Sequence, residues 1–409
     1  MLEKLRRMPR ALYFLFAGTT ITRLGAFVFP YLTIYLSEAR GYGVDRVGLI
    51  LSVGSLGLLA GNFAGGWLTD RWRRKSTLVL ALLLNAAGFA GLAGHYESGW
   101  TYAMFLFIGY VGSGMYTPAA NTVVADLAPE DIRAFAYTVN YVCINLGMGL
   151  GPLIGGFLAA VSYNWIFIGD VATSLACAGL IAVGVAETRP TATGNSARTG
   201  GRGRSYPSVW MQHPLVLIFC LSFFFLIGPL MGLEYAVPLL VKTVFLSSLT
   251  FVGVIYTINA ACILSLSFVI ERLIRGRNEY LMMIVSGLFW TAGLLILLLG
   301  FSLTALMICT AVWTIGEIIA SILVPSFIAQ RVAPDVKGRF MALNDIVRSF
   351  AGVVCPIGLG FVWANYGVGV VTIILTALPA AGVLCYVAML LFTSQTNRAA
   401  LAQPVTVES

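Results

Sequence analysis

Three ionisable side chains stand in runs that lipid would otherwise surround. Arg23, Glu234 and Glu317 each interrupt a long apolar segment. An arginine about halfway across a bilayer costs about 2.5–3.5 kcal/mol on insertion scales, so Arg23 must face a polar interior. There it either pairs structurally with a carboxylate, or contacts a substrate and tunes an acid that binds protons. Glu234, and Glu317 in a Gly316-Glu317 pair, are by default functional for the same reason. A carboxyl withdrawn from water favours its neutral form, so such an acid can exchange a proton near neutral pH. Gaining the proton removes a charge and changes which conformation is lower in energy. Asp345 and Arg348 lie about one turn apart and suit a gate or a structural bridge.

Other chemistry is missing its parts. There are 2 histidines, with no metal-ligand spacing, no Ser/His/Asp arrangement and no phosphate-cradling glycine loop. An enzyme is therefore not expected, and neither a metal nor a cofactor is called for. His95, in the turn from His95 to Trp100, is read as an interfacial residue. All 7 cysteines, Cys143, Cys177, Cys220, Cys262, Cys309, Cys355 and Cys385, fall in apolar segments without paired spacing and are read as small packing residues. No loop is long enough for the folded soluble domain of a sensor.

The elements that must hold these residues follow from composition. Apolar residues make up 59% of the 409 and charged residues 10%, too few charges for a solvated surface around a buried core. The surrounding solvent must be lipid. A hydrocarbon core about 30 Å thick needs about 20 apolar residues per helix. The charged and turn-rich breaks allow twelve such spans, near 11–36, 47–69, 76–95, 101–123, 134–160, 165–186, 213–240, 249–270, 279–300, 302–328, 340–362 and 366–392.

The net charge of +8 would suit a nucleic-acid binder, but the positions of the basic residues say otherwise. Of the 25 lysines and arginines, 20 fall on one side of the twelve spans, in the N-terminal tail, in alternate turns and in the middle linker. The positive-inside rule then puts both termini in the cytoplasm. The expected partners are a lipid bilayer, protons and a small-molecule substrate, with no nucleic acid, and the chain is read as monomeric.

The chain also repeats itself. Sliding it by 205 positions lays Pro129 on Pro334, Glu130 on Asp335, Phe135 on Phe340 and Gly147 on Gly352. An offset of 208 lays Pro238 on Pro30 and puts Glu234 three residues beyond the counterpart of Arg23. The two halves thus offer opposite charges at similar depth, and a structural bridge between them is the alternative to a functional pair. From Glu187 the composition shifts to Thr, Gly, Ser, Arg and Pro, which cannot bury enough apolar area to fold. The expected organisation is a six-helix bundle at 1–186, a cytoplasmic linker at 187–212, a second six-helix bundle at 213–394 and a cytoplasmic tail at 395–409. Half-length repeats of this kind are the pattern of a transporter.

Two motifs carry a resemblance. The run from Gly66 to Lys75 resembles the major facilitator superfamily signature G-x-L-x-D-R-x-G-R-[RK], with Arg73 where the second glycine is usual. In that family this loop acts as a conformational latch, which implies the role for Gly66, Asp70, Arg71 and Arg74, with Asp345 and Arg348 as a further gate. Gly66 would permit close helix packing. Asp70 would cap a helix or pair across the two halves, and Arg71 to Lys75 would hold the loop at anionic headgroups. In the fifth span, Gly147, Gly151, Pro152, Gly155 and Gly156 resemble the G-x-x-x-G-P-x-x-G-G signature of the antiporter branch. Glycines four apart let another helix approach closely, and the proline removes a backbone hydrogen bond.

Within the superfamily the chain is similar to proton-coupled multidrug antiporters of the LmrP-like branch, whose acids in the seventh span and in a Gly-Glu pair of the tenth match Glu234 and Glu317. Their D-Y-x-x-x-N-L pattern in the fifth span becomes Asn140 to Leu146 here, with Asn140 in place of the acid. A second resemblance is to proton-coupled peptide transporters, whose E-x-x-E-R becomes Thr19-x-x-Thr22-Arg23. The resemblance implies the all-α major facilitator fold, twelve helices in two pseudo-symmetric six-helix bundles, in the inner membrane of a bacterium. It implies efflux of lipophilic, cationic or zwitterionic compounds against protons by alternating access. The competing expectation is a proton-coupled transporter of one metabolite such as a peptide, sugar or siderophore. Phe27, Tyr31, Tyr35 and Tyr141 are expected to line the cavity.

Overall fold

The computed structural model describes residues 6–187, 210–332 and 334–401, apart from the side chains at 70, 71, 130, 133, 134, 138, 329, 334–339 and 395–401. The expected linker falls almost wholly outside the described residues, as do the tail from 402 on and the side chains of Asp70 and Arg71.

Apolar runs of this length can satisfy their backbone in lipid only as helices, and helices are what form. The first span is α1 (Arg10–Leu24) and α2 (Val28–Ile34), closed by a π-turn at Tyr35–Ala39. Then come α3 (Val44–Arg71), α4 (Arg74–Leu92), α5 (Gly99–Leu127), α6 (Arg133–Val161) and α7 (Tyr163–Gly184). The second half has α8 (Pro214–Ser222), α9 (Phe224–Leu239) with a π-turn at Leu240–Val244, α10 (Thr250–Ile274), α11 (Glu279–Gly300), α12 (Leu303–Arg331) and α13 (Pro334–Leu401). Among the described residues, 10 segments are long and apolar enough to cross a membrane. One of them, 340–394, is two helices meeting at Gly367, whose φ of +80° is open mainly to glycine. With that division and with α5, 29 residues long but not among those 10, the crossings among the described residues number twelve. The two π-turns occupy matching places in the two halves, 205 residues apart, as do the repeated residues of the sequence.

The first span is not one helix, as its composition suggested, but breaks at Gly25–Phe27. Pro30 has no N–H to return to the carbonyl of Ala26 and its ring crowds that position. Gly25 fits against the side chain of Thr173, where a Cβ would collide.

The residues form two units by their contacts. One holds Met1–Arg198, Met231–Leu264 and Ser349–Val371; the other holds Thr199–Leu230, Ser265–Arg348 and Thr372–Ser409.

In the first unit, Leu12, Phe16, Leu82, Ala120, Val124 and Ile181 belong to one buried core drawn from α1, α4, α5 and α7. Lipid offers no hydrophobic drive between helices, so backbone approach through small residues matters more. Gly57, Gly61 and Gly65 on α3 face Phe107, Val111 and Met115 on α5, a four-residue step on both sides. The later segments of the unit are tied on by polar bonds to main chain. Tyr235 donates to the Val44 carbonyl (2.7 Å), Ser52 to that of Val353 (2.6 Å) and Thr257 to that of Gly149 (3.2 Å).

The second unit is held by aromatic packing. Phe219 stacks on Phe327 at 3.7 Å, and Trp290 on Trp313 at 4.6 Å. Ser286 donates to the Gly316 carbonyl at 2.7 Å, setting α11 against α12 one residue before Glu317. At the end of α12, Arg331 pairs with Glu279 at 3.1 Å and lies over the Phe327 ring.

Candidate functional site

Arg23 occupies the last turn of α1, just before the break. The glycine row of α6 decides where it stands: Gly147 and Gly151 lie against the backbone of Arg23 and Leu24, and a Cβ at Gly151 would be 2.8 Å from the Leu24 carbonyl oxygen. From this seat the guanidinium reaches into a small, narrow cleft lined by Thr19, Tyr116, Thr117, Asn121, Asn140 and Ile144. One terminal nitrogen donates to Thr117 Oγ1 at 3.2 Å, while the buried Nε has no partner. The Thr19 and Tyr116 hydroxyls are 2.8 Å apart. Asn140, 4% exposed, approaches Asn121 Oδ1 with its amide nitrogen at 3.5 Å and keeps its own buried Oδ1 unpartnered. The cleft therefore offers a cation with unspent donors beside an unspent acceptor. A ligand group combining negative charge with a donor would satisfy both.

Glu234, half-buried on α9, is within electrostatic reach of Tyr110 on α5 and Tyr256 on α10. The Tyr256 hydroxyl is buried with no hydrogen-bond partner. The structure does not join Arg23 to Glu234. The electrostatic neighbours of Arg23 are Tyr116 and Cys177, and no ion pair to it forms among the described residues. In the second unit, Glu317 lines a narrow cleft with Phe223, Leu226, Ile227, Trp290, Ala320 and Ser321. A carboxyl beside aromatic and aliphatic walls suits a proton or a lipophilic cation.

Three of the four expected lining residues are packing residues instead. Tyr31 is fully buried and its hydroxyl donates to the Pro152 carbonyl at 2.5 Å. Tyr35 donates to the Leu92 carbonyl (2.7 Å) and accepts from Arg40 Nε (2.7 Å). Phe27 packs against Gly155 and Gly169. The Phe27 and Tyr31 rings fill space that glycines leave open, which spacing along one helix does not reveal. Tyr141 is exposed.

In the turn after α3, Arg74 points inward to an ion pair with Asp126 at the end of α5 rather than out to headgroups. Glu187 caps the start of α4, accepting from the Lys75 N–H and the Ser76 hydroxyl, both at 3.0 Å. Gly66 does not provide close packing: a Cβ there meets nothing within 4 Å, whereas one at Gly65 would lie 2.6 Å from Met115 Cα. Asp345 and Arg348 are both exposed and within electrostatic reach of each other.

Other polar residues went unnoticed in the sequence. Thr117 and Asn121 complete the Arg23 cleft, and their one-turn spacing on α5 was the available signal. Asp170 on α7 meets the criterion that singled out Glu234 and Glu317, an acid inside an apolar span, yet no motif drew attention to it. It is 3% exposed, one turn before Ser174, whose hydroxyl donates to Asn85 Oδ1 at 2.8 Å, with Asn85 Nδ2 donating in turn to Ser113 Oγ at 2.6 Å.

This architecture has known counterparts. The chain is 25% identical over 404 residues to the uncharacterized MFS-type transporter YttB of Bacillus subtilis (strain 168), covering 96% of this chain and 99% of the relative. It is 26% identical over 375 residues to a Na(+), Li(+), K(+)/H(+) antiporter of Planococcus maritimus, covering 83% and 86%. It is 23% identical over 377 residues to the multidrug resistance protein MdtH of Aeromonas salmonicida (strain A449), covering 88% and 89%. Among solved structures, the nucleoside transporter NupG superposes with a TM-score of 0.78 at 13% identity, covering 93% of this chain and 100% of that one. A POT family transporter in complex with 5-aminolevulinic acid gives 0.74 at 15% identity, covering 95% and 96%. The family model described as Major Facilitator Superfamily matches residues 15–356, most of the chain. With twelve crossings in the same fold, this multi-pass membrane protein belongs to the Major Facilitator Superfamily and is a transporter rather than an enzyme.

Proposed function

We propose that this chain is an LmrP-like proton-coupled antiporter that exports lipophilic cationic or zwitterionic compounds from a bacterial cytoplasm across the inner membrane. The observation that carries the reading is the Glu317 cleft, a carboxyl walled by Phe223, Leu226, Ile227 and Trp290. Such walls bind apolar bodies with little regard to shape, and the acid accepts either a proton or the positive end of a drug. Occupancy by one excludes the other, which is the elementary requirement for antiport. Glu234, among tyrosine hydroxyls, is the second proton site. Arg23 with Asn140 holds the negative end of a zwitterion.

The six-helix halves, 1–186 and 213–394, would rock about these sites on the linker 187–212, with both termini cytoplasmic. The turn around Asp70, Arg71 and Arg74 and the Asp345 and Arg348 pair would act as latches on that motion. Relatives named as a multidrug resistance protein and as a cation/proton antiporter support exchange as the mode of transport.

The test is accumulation of a fluorescent lipophilic cation in inverted vesicles or oriented proteoliposomes under an inside-acid gradient. Wild type is expected to concentrate the dye, and Glu317→Gln to lose at least tenfold of the initial rate, about 1.4 kcal/mol. A wild type that accumulates no dye under the gradient refutes export of this class. Parallel runs with sodium or lithium ions, and with peptides, identify the competing cargo.

A further inference from the structure

Arg23 carries a permanent charge into a membrane-crossing helix, since a guanidinium keeps its proton in a protein. The cleft it lines draws its walls from α1, α5 and α6, and those walls supply hydroxyls, amides and two apolar side chains but no carboxylate. No ion pair to Arg23 forms among the described residues. A charge held away from water is costly unless an opposite charge accompanies it.

The walls of the cleft offer hydrogens more readily than they accept them. One terminal nitrogen of Arg23 donates to Thr117 Oγ1 at 3.2 Å, and the buried Nε has no partner. Having accepted from the guanidinium, Thr117 keeps its own hydrogen to give. The Thr19 and Tyr116 hydroxyls, 2.8 Å apart, are engaged with each other. Asn140 is the exception, because its buried Oδ1 is an acceptor without a donor. Its neighbour Asn121 allows that to change. Asn140 Nδ2 and Asn121 Oδ1 are 3.5 Å apart, and turning both amides over keeps this contact in the opposite sense. Asn121 then donates to Asn140 Oδ1, and Asn140 Nδ2 takes the place of the orphaned acceptor. Each unspent group named here is then a donor.

The cleft has room for about one water-sized body. A water molecule meets the hydrogen bonds and leaves the charge, while sulfate and phosphate are wider than the space. A halide brings a full negative charge in a single atom and accepts from any direction.

We propose that the Arg23 cleft binds chloride, which supplies the counter-charge that no side chain provides. This occupant rests on the reading of the cleft as a seat for negative charge, and it comes before cargo: the negative end of a zwitterion takes the place that chloride leaves. The sequence points the same way. Asn140 stands where the D-Y-x-x-x-N-L pattern has its acid, and a neutral amide leaves the charge of Arg23 to an exchangeable anion. Gly147 and Gly151 seat Arg23 against α6, so that both residues stand on the walls of one cleft.

The experiment is thermal unfolding of the full-length protein in detergent, without cargo, as gluconate is replaced by chloride at constant ionic strength. Wild type is expected to be stabilised saturably, its midpoint rising by about 2 °C or more, with bromide acting alike. Asn140→Asp supplies the negative charge from α6, and its midpoint is expected to be independent of chloride. Arg23→Gln removes the charge and is expected to weaken the apparent chloride affinity about tenfold or more. Thr117→Ala keeps the charge, removes one donor and is expected to weaken that affinity to a lesser degree. A wild type indifferent to chloride, a response that never saturates, or an equal response in the variants that fold overturns the proposal. Stabilisation by acetate with none by chloride also overturns it and assigns the cleft to carboxylates. Neither cargo nor gradient is present, so failure here and failure of the export assay are read separately.

Discussion

A cation beside an unspent acceptor sets the substrate reading at the residue scale. Arg23 spends one terminal nitrogen on Thr117, leaves its buried Nε unspent and shares its cleft with Asn140. A lysine keeps the charge but loses the planar fork. Arg23→Lys is expected to raise the KM for zwitterionic compounds about tenfold, ~1.4 kcal/mol, while leaving purely cationic ones unchanged; initial rates against concentration in vesicles check this. The glycines of α6 make the complementary statement about stability. Gly151→Ala puts a Cβ 2.8 Å from the Leu24 carbonyl oxygen, a collision with backbone that should cost about 1–3 kcal/mol. Gly66→Ala meets nothing within 4 Å and should leave the thermal midpoint in detergent unchanged or slightly higher, since alanine favours a helix. Equal losses in the two variants would refute the assignment of close packing to the α6 row. The antiporter-like signature is thus legible as a seat for the first span, and its glycines matter because they place Arg23.

Helix ends and breaks carry the argument at the next scale. α4 begins with Arg74 paired inward to Asp126 and with Glu187 accepting from Lys75 and Ser76. A carboxylate at a helix N-terminus satisfies otherwise orphaned N–H groups and meets the positive end of the helix dipole. Glu187→Ala is expected to cost about 0.5–2 kcal/mol and to raise hydrogen exchange at the first turn of α4 before any other helix. Helix positions were readable from apolar run lengths: the ninth span runs Glu279–Gly300 as expected, and the others differ mainly at their ends. The break in the first span was not, although Gly25 and Pro30 were both visible. A proline near the middle of a span permits a break, and whether one forms depends on what packs against it, here Thr173 and Gly169 on a helix more than 140 residues away.

Basic residues decide the orientation of the whole molecule, because translocating them is costly and turns rich in them stay in the cytoplasm. The turn between α3 and α4 carries Arg73, and the one between α4 and α5 carries His95 and Glu97 but neither lysine nor arginine. Alkaline phosphatase fused after Glu97 is expected to be active and the same enzyme fused after Trp72 inactive; the reverse pattern would invert the proposed direction of export. The matching π-turns of the first and seventh spans, at one offset, show that the repeat extends to irregular backbone as well as to motif residues.

The sequence by itself determined the solvent, the number of crossings, the repeat and the superfamily, because each depends on composition and on order along one chain. It also located Arg23, Glu234 and Glu317 as groups too costly to face lipid. Only the tertiary structure decided what each one meets. Arg23 meets Thr117 and an asparagine-lined cleft rather than Glu234, Glu317 meets aromatic walls, and Tyr31 and Tyr35 turn their hydroxyls to backbone carbonyls. Asp170 shows the division most plainly. Its type and depth were readable in the sequence, but the buried polar side chains near it, Ser174 bonded to Asn85 and Asn85 to Ser113, come together only when the helices pack.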